Sequence, residues 1–464
     1  MRPDTIAALA AALGESAVIC GEEIDERYRT DILKKSRSDP GVVVRPTSTE
    51  QVAAVLRIAN AADVPVTALG GATGLVGGGI AETGGILLSL ERMNQIVEID
   101  TVSMTVTAES GVVIETLQMA TEAEGLLLPL DLGARGSATV GGTISTNAGG
   151  VRVLRWGMMR DMVLGLEAVL ADGTIVSSMG KALKDNAGYD WKQLMIGSEG
   201  TLGVVTRAVL RLRPNPRSAQ TALVAAHDVE GVGTMLRFLQ ARLAGRLSSF
   251  ELMWNNFYEF VTAGQRDKRP PPMPVGSGIY VLVEALGDDE EGDATSFAEA
   301  LGEMIEQGLV TDAVIAQSER QRQELWATRD DVIDVMATIK PRYAYDVSMA
   351  LSDMARFVAD TEARVEAALP GATLMFYGHG GDGNLHVVVG PGHVPGGYEI
   401  ANDAVYAATQ GVNGSISAEH GIGTYKKAYI GLSRSPAELD LMRRLKRALD
   451  PQNILNPGKV IPAA

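Results

Sequence analysis

The sequence predicts an α+β protein with a glycine-rich first domain, a second α+β domain, and a C-terminal segment that returns to the first. Three observations predict it. A strand–helix–strand pattern near the start is followed by two long glycine-rich stretches. A run rich in arginine and proline, Arg211-Leu-Arg-Pro-Asn-Pro-Arg-Ser218, then closes that region. Beyond it helical and extended patterns alternate up to a histidine-bearing hairpin and a last fragment with a carboxylate beside a histidine. The expected boundaries are 1–216, 217–414 and 415–464.

The chain has 464 residues, enough for two or three domains with a large core. Hydrophobic residues make up 46% and charged residues 21%, ordinary values for a globular chain, which excludes disordered and collagen-like classes. A net charge of −16 repels phosphate backbones and anionic lipid, so neither nucleic acid nor a membrane surface is an expected partner. Cys20 is the only cysteine, which excludes an internal disulfide framework, a thiolate zinc site and a protein-ligated iron–sulfur cluster. A cytoplasmic location fits that usage. The opening residues lack a basic region and a full apolar stretch, so they read as a short amphipathic helix rather than a secretory signal. No apolar run is long enough to span a bilayer.

In the first domain, Gly41 to Arg45 reads as a strand. Thr-Ser-Thr-Glu-Gln after Pro46 offers helix caps, and Val52, Val55, Leu56 and Ala59 give the apolar spacing of one helix face. Val64 to Leu69 returns as a strand. The next ten residues, Gly70-Gly-Ala-Thr-Gly-Leu-Val-Gly-Gly-Gly79, contain six glycines. Such a loop can approach a ligand closely and aim amide N–H groups at a diphosphate, or it can be a plain surface turn. A second stretch, Pro129 to Gly150, combines glycines with Ser137, Thr146 and Asn147 and could wrap a large flat cofactor. Neither stretch has the spacing of a dinucleotide fingerprint or a P-loop. The G-x-G-x-x-G at Gly378, Gly380 and Gly383 precedes an extended pattern rather than a helix, so it too is set aside. Val163 to Val176 reads as a hairpin turning at Asp172-Gly173, and Ile196 to Val205 as another glycine-rich approach to a strand. In the second domain Val229 to Leu243 and Asp353 to Leu369 read as helices, Gly278 to Ala285 as a strand, and Arg266 to Pro274 as an exposed proline-rich loop.

The densest chemistry lies in Phe376 to Gly390. Two β-prone runs flank Asp382-Gly383, a dipeptide that favours a two-residue hairpin loop. That loop would set His379 directly opposite His386, with Cβ atoms roughly 4.5 to 5.5 Å apart. Two imidazoles so placed can chelate one ion, or they can be a satisfied pair in an ordinary hairpin. Ser415 to Gly423 adds Glu419 and His420, so three of the five histidines (His227, His379, His386, His393, His420) fall in two short fragments. Two imidazoles and a carboxylate leave open positions on a zinc-like ion. Glu419 is then the third ligand and His420 a free base. The same triad could serve a hydrolase or a non-haem iron oxygenase without flavin, although the glycine-rich loops would have no use there.

Taken together, Gly70 to Gly78, Pro129 to Gly150, Asp185 to Asp190 and Ile196 to Val205 resemble the FAD-binding domain of the vanillyl-alcohol oxidase type, also called PCMH-type. The histidine hairpin, Ala418 to Gly421 and Ile454-Leu-Asn-Pro-Gly-Lys459 resemble the D-2-hydroxyacid dehydrogenase branch, which includes D-lactate and D-2-hydroxyglutarate dehydrogenases. The resemblance covers nearly the whole chain. It implies that Gly70, Gly71, Ala72, Thr73, Gly74 and Leu75 hold FAD, as do Pro129, Gly133, Ser137, Gly141 and Gly142. It adds Thr146, Asn147, Gly150 and Gly200, with Val204 near the adenine and Asn456 near the isoalloxazine. The flavin is expected to be non-covalent, because the glycine-rich loops offer neither histidine nor cysteine. The same resemblance implies a divalent ion, zinc, on His379, His386 and Glu419, His420 as catalytic base, and Arg329 gripping the substrate carboxylate.

One departure bears on the substrate. D-2-hydroxyglutarate dehydrogenases read a distal carboxylate with a threonine, a lysine and an asparagine, and the aligned positions here are Ile333, Ala344 and Val388. The expected substrate is therefore a 2-hydroxy acid with a short or apolar side chain, unless Lys340 or Arg342 compensates. D-2-hydroxyglutarate dehydrogenase and an oxygen-using oxidase are the alternatives within the family. A binding protein that keeps FAD as ballast is disfavoured by the base beside the ligands. An electron acceptor of the electron-transfer flavoprotein, quinone or cytochrome kind is implied, and a homodimer is compatible with all of this.

Overall fold

A computed structural model of the chain describes residues 1–264, 269–332 and 336–462. It divides into two compact units: Met1–Gly149, Gly157–Asn215 and Glu419–Ala464 form the first, Gly150–Trp156 and Pro216–Ala418 the second.

In the first unit Ser48 caps the helix Thr49–Ala62 by accepting from the Gln51 amide, and Val52, Val55, Leu56 and Ala59 are fully buried. Val52, Val55 and Leu56 each contribute about 1.5–3 kcal/mol of burial. The helix connects the strands Val42–Val44 and Val66–Leu69, which do not pair directly. Ile86–Ser89 lies between them, parallel to both. The C-terminal segment enters this layer, with Ile454 and Leu455 in the same core and Leu455 bridging to Val66. A second, five-stranded antiparallel sheet runs Ile96–Asp100, Thr105–Glu109, Val204–Arg211, Val163–Val169, Ile175–Ser178. The turn at Asp172-Gly173 forms as expected: Gly173 has φ +80° and the Asp172 carboxylate accepts from the Thr174 amide.

The second unit is built on a seven-stranded antiparallel sheet in the order Asp312–Ile315, Ser218–Ala226, Ile279–Gly287, Leu247–Trp254, Thr373–His379, Asn384–Gly390, Tyr343–Ser348. One face carries Met253, Tyr280, Leu282, Met375 and Val388, packed against Phe257 and Val261 of the helix Asn255–Gly264 and Leu325 of the helix Glu319–Asp330. The helices expected over Val229 to Leu243 and Asp353 to Leu369 are Val232–Arg242 and Met354–Ala368. The proline-rich loop is less exposed than its composition suggests. Met273 is buried, and both its backbone amide and carbonyl bond to the Tyr258 hydroxyl at 3.0 Å. Arg266 to Lys268 of that loop lie outside the described residues.

Candidate active site

The second unit places a polar row on the otherwise apolar face of its sheet. Glu251 sits directly opposite His379 on adjacent strands, and His386 is paired with Tyr377 on one side and Asp346 on the other. Paired residues share a face, so these five side chains project together. The hairpin register differs from the sequence expectation. Tyr377, not His379, opposes His386, because the loop between the strands is wider than the two residues Asp382-Gly383. The displacement is two residues, which is the side-chain period of a strand, so both histidines stay on one face. Their ring centroids are 5.4 Å apart at 79°.

The helix Glu319–Asp330 crosses above this row and presents Arg322, Trp326 and Arg329 at i, i+4 and i+7. Arg322 Nε and Trp326 Nε1 each donate to Glu284 at 2.8 Å, which the Thr221 hydroxyl also reaches at 3.0 Å. Arg329 donates from Nε to Glu251 Oε2 at 3.0 Å and lays its guanidinium over the Tyr377 ring, 4.8 Å from the centroid. Glu251 Oε1 meets His379 Nδ1 at 2.7 Å. Burial acts to raise the Glu251 carboxyl, but His379 and Arg329 outweigh it and hold it below the usual carboxylate range. Asp346 accepts from the Ser417 hydroxyl at 3.3 Å and the Ala418 amide at 3.1 Å, which fixes the chain immediately before Glu419 and His420.

In the first unit the two glycine-rich stretches abut. A Cβ on Gly70 would meet Thr139 Oγ1 at 2.6 Å, and one on Gly71 would meet the Ser137 carbonyl oxygen at 1.9 Å, so neither position tolerates a side chain. Ala72 follows with φ +55°, and Thr73, Gly74 and Leu75 continue the loop. Pro129 is buried, whereas Gly133 and Ser137 are exposed. Gly141 and Gly142 lie in the short helix Val140–Thr146, where Thr146 bonds back to the Gly142 carbonyl. Asn147 ends that helix in the left-handed region and accepts from the Arg160 amide. Gly150 falls in the second unit. Gly200 has φ +73°, and Val204 begins a strand at 1% exposure. Asn456 donates from Nδ2 to the carbonyls of Gly78 and Glu199, at 3.1 and 2.7 Å. Its buried Oδ1 has no partner among the described residues, an acceptor suited to a ligand N–H. Abutting glycine loops and an unmatched buried acceptor fit a flavin nucleotide.

Three residues that the sequence did not single out are central to this geometry: Glu251, Asp346 and Glu199. Glu199 accepts from the amides of Ile422 and Gly423 at 2.7 and 2.9 Å, so it clamps the backbone just after His420. Burial raises its carboxyl above the usual range, with those two amides, Lys426 and Lys459 opposing. The only sequence signal was an acid set among glycines in Gly197-Ser-Glu-Gly200.

Lys459 is 4% exposed, and burial pushes its ammonium from 10.5 down to about 8; Lys427 adds to this, while Glu82 and Glu199 oppose it. The unfolded chain keeps that proton to higher pH than the folded one. Lys459 therefore contributes stability that is present above the ordinary lysine range and is lost as pH falls through about 8. Urea unfolding should show wild-type stability rising between pH 8 and 10 relative to Lys459→Met, by up to roughly 3 kcal/mol. Parallel curves for the two proteins would refute the assignment.

Residues 40–178 match the family model described as FAD binding domain, and residues 215–460 match FAD linked oxidases, C-terminal domain. The chain is 39% identical over 441 residues to D-2-hydroxyglutarate dehydrogenase of Xanthomonas citri pv. viticola, covering 94% of this chain and 92% of that one. The chain belongs to the FAD-linked oxidases. Within that family it is a D-2-hydroxyacid dehydrogenase. The mitochondrial D-2-hydroxyglutarate dehydrogenase of Bos taurus is 39% identical, covering 99% of this chain and 84% of that one. A putative mitochondrial D-lactate dehydrogenase of Schizosaccharomyces pombe is 36% identical, covering 94% and 84%. Among solved structures, p-cresol methylhydroxylase has a TM-score of 0.76 at 16% identity, covering 98% of this chain and 96% of that one. Alkyldihydroxyacetonephosphate synthase has 0.75 at 15%, covering 99% and 86%. These two establish the fold alone, the α+β vanillyl-alcohol-oxidase type. Among the described residues of this FAD-linked oxidase no helix is long and apolar enough to cross a membrane.

Proposed function

We propose that the protein oxidises a D-2-hydroxy acid with a short or apolar side chain, D-lactate-like, to the 2-oxo acid, using non-covalent FAD and a divalent metal. The observation that supports this is the Arg329–Glu251–His379 chain on the sheet face that also carries His386, a guanidinium and two imidazoles that suit a carboxylate and an ion. Arg329 Nε is engaged by Glu251, and the edge formed by its two terminal amino groups would grip the substrate carboxylate. His379, His386 and Glu419 would hold the ion, zinc in this reading, which when bound lowers the pKa of the C2 hydroxyl. His420 takes the hydroxyl proton as C2 gives up its hydride. FAD, when bound, would supply a two-electron acceptor for that hydride at its N5. The glycine loops with Gly200, Val204 and Asn456 would hold it.

In this reading residues 1–216 form the FAD domain, 217–414 the substrate domain, and 415–464 complete the site. The enzyme would work in the cytoplasm, with a homodimer compatible, and pass electrons to an electron-transfer flavoprotein, quinone or cytochrome acceptor.

An anaerobic visible spectrum tests the core of it. The flavin band should bleach with D-lactate, stay oxidised after chelation, and bleach again once zinc is restored. A flavin that reduces equally well after chelation would remove the metal from the mechanism. D-2-hydroxyglutarate is the second reading, favoured by the names of the relatives at 39% identity.

A further inference from the structure

We infer that Glu251 is a positioning residue that couples the substrate-binding arginine to the metal-binding histidine, so that one buried carboxylate sets the geometry of both. The inference rests on the proposed roles of Arg329 and His379.

Glu251 is 1% exposed and uses a different oxygen for each partner: Oε1 lies 2.7 Å from His379 Nδ1, and Oε2 lies 3.0 Å from Arg329 Nε. An ionised carboxylate only accepts, so both neighbours must donate. That requirement places a proton on His379 Nδ1 and leaves the Nε2 lone pair as the ligating one. It also engages the Nε edge of the Arg329 guanidinium, so the edge formed by the two terminal amino groups is the one left for a substrate carboxylate. The strand register supports both arms, since Glu251 and His379 are a direct cross-strand pair. Arg329 is further fixed by the Tyr377 ring beneath it. The arrangement is the outer carboxylate that commonly orients a metal-bound imidazole, here shared with a second functional side chain.

Glu251→Gln has the same shape but offers one acceptor and one donor. If its NH2 faces His379, the imidazole must accept at Nδ1 and carry its proton on Nε2, where the ion would bind. If the NH2 faces Arg329, two donors oppose each other and the guanidinium must turn. The holoenzyme carrying Glu251→Gln should bind Zn2+ about 10–100-fold more weakly by chelator competition. Its KM for D-lactate should rise about tenfold, with the flavin spectrum unchanged. Glu251→Asp keeps the charge but is one methylene too short to reach both partners, so it should retain one property and lose the other.

Two controls separate this inference from the reading beneath it. Arg329→Met should raise KM without changing Zn2+ affinity, and His386→Ala should lose Zn2+. A His386→Ala enzyme that still binds Zn2+ tightly would overturn the metal assignment, and the metal arm of the inference with it. With both controls behaving as stated, Glu251→Gln and Glu251→Asp that lower the unfolding midpoint yet keep wild-type Zn2+ affinity and KM would make Glu251 a purely structural ion pair.

Discussion

Replacing His420 by asparagine is expected to lower kcat by about 10²–10⁴-fold, the usual worth of a positioned general base. The flavin absorbance and the Zn2+ content should stay as in the wild type. The reason lies in how the chain around His420 is held. Two residues before it, the Ala418 amide donates to Asp346, and two and three residues after it the amides of Ile422 and Gly423 donate to Glu199. Gly421 has φ +82°, and a Cβ there would come within 2.7 Å of a Glu199 carboxylate oxygen, so the backbone could not sit this close with any other residue. Under the proposed function His420 is the base, and the backbone held just before and just after it limits the freedom of its imidazole. Asparagine keeps the polarity and the backbone but cannot take a proton. A variant that retains kcat within a few-fold would assign the proton transfer elsewhere. A variant that also loses Zn2+ would make His420 a ligand and not a base.

Much of this was legible in the sequence because it is local. The helix after Ser48 announced itself by a cap and a 3.6-residue apolar period, and the same four side chains are fully buried. The Asp172-Gly173 turn needed only two residues. The placement of His379 and His386 on one face was readable for the same reason, although their direct pairing was not: the register error of two residues equals the strand period. What could not be read is whatever depends on partners far along the chain. Glu251 is 128 residues from His379, and nothing in Phe250-Glu-Leu-Met253 distinguishes it from any other acid in a strand. Asp346 acquires meaning only when its strand pairs beside Asn384–Gly390. Glu199 needed the return of the C-terminal segment, which local propensity does not report. The same contrast holds for the proline-rich loop, where composition predicted exposure and the Tyr258 hydroxyl instead holds Met273 inside.

Kinetics with a series of D-2-hydroxy acids should give kcat/KM for D-lactate or D-2-hydroxybutyrate about 10²-fold or more above that for D-2-hydroxyglutarate. The structure sharpens the argument made from aligned positions. Ala344 and Val388 are a direct cross-strand pair, and the next pair on the same face is Asp346 with His386. Beside the histidine proposed as a metal ligand stand one exposed alanine and one valine, the latter 2% exposed within an apolar cluster. Ile333, the third position, lies outside the described residues. A second carboxylate laid against that pair would lose water without gaining a partner, a loss of several kcal/mol unless a cation reaches it. Arg342 is the cation to test. It is exposed, shares the face of Ala344 by strand alternation, and is near enough to Tyr377 to act on its hydroxyl, which burial raises and the Arg329 and Arg342 charges lower. Ala344→Lys should therefore raise kcat/KM for D-2-hydroxyglutarate and leave D-lactate nearly unchanged, while Arg342→Ala should change neither by more than a few-fold. A wild-type enzyme that prefers D-2-hydroxyglutarate, and loses that preference in Arg342→Ala, would show that one exposed arginine replaces the missing lysine and asparagine. The apolar pair would then be the floor of a dicarboxylate site rather than its exclusion.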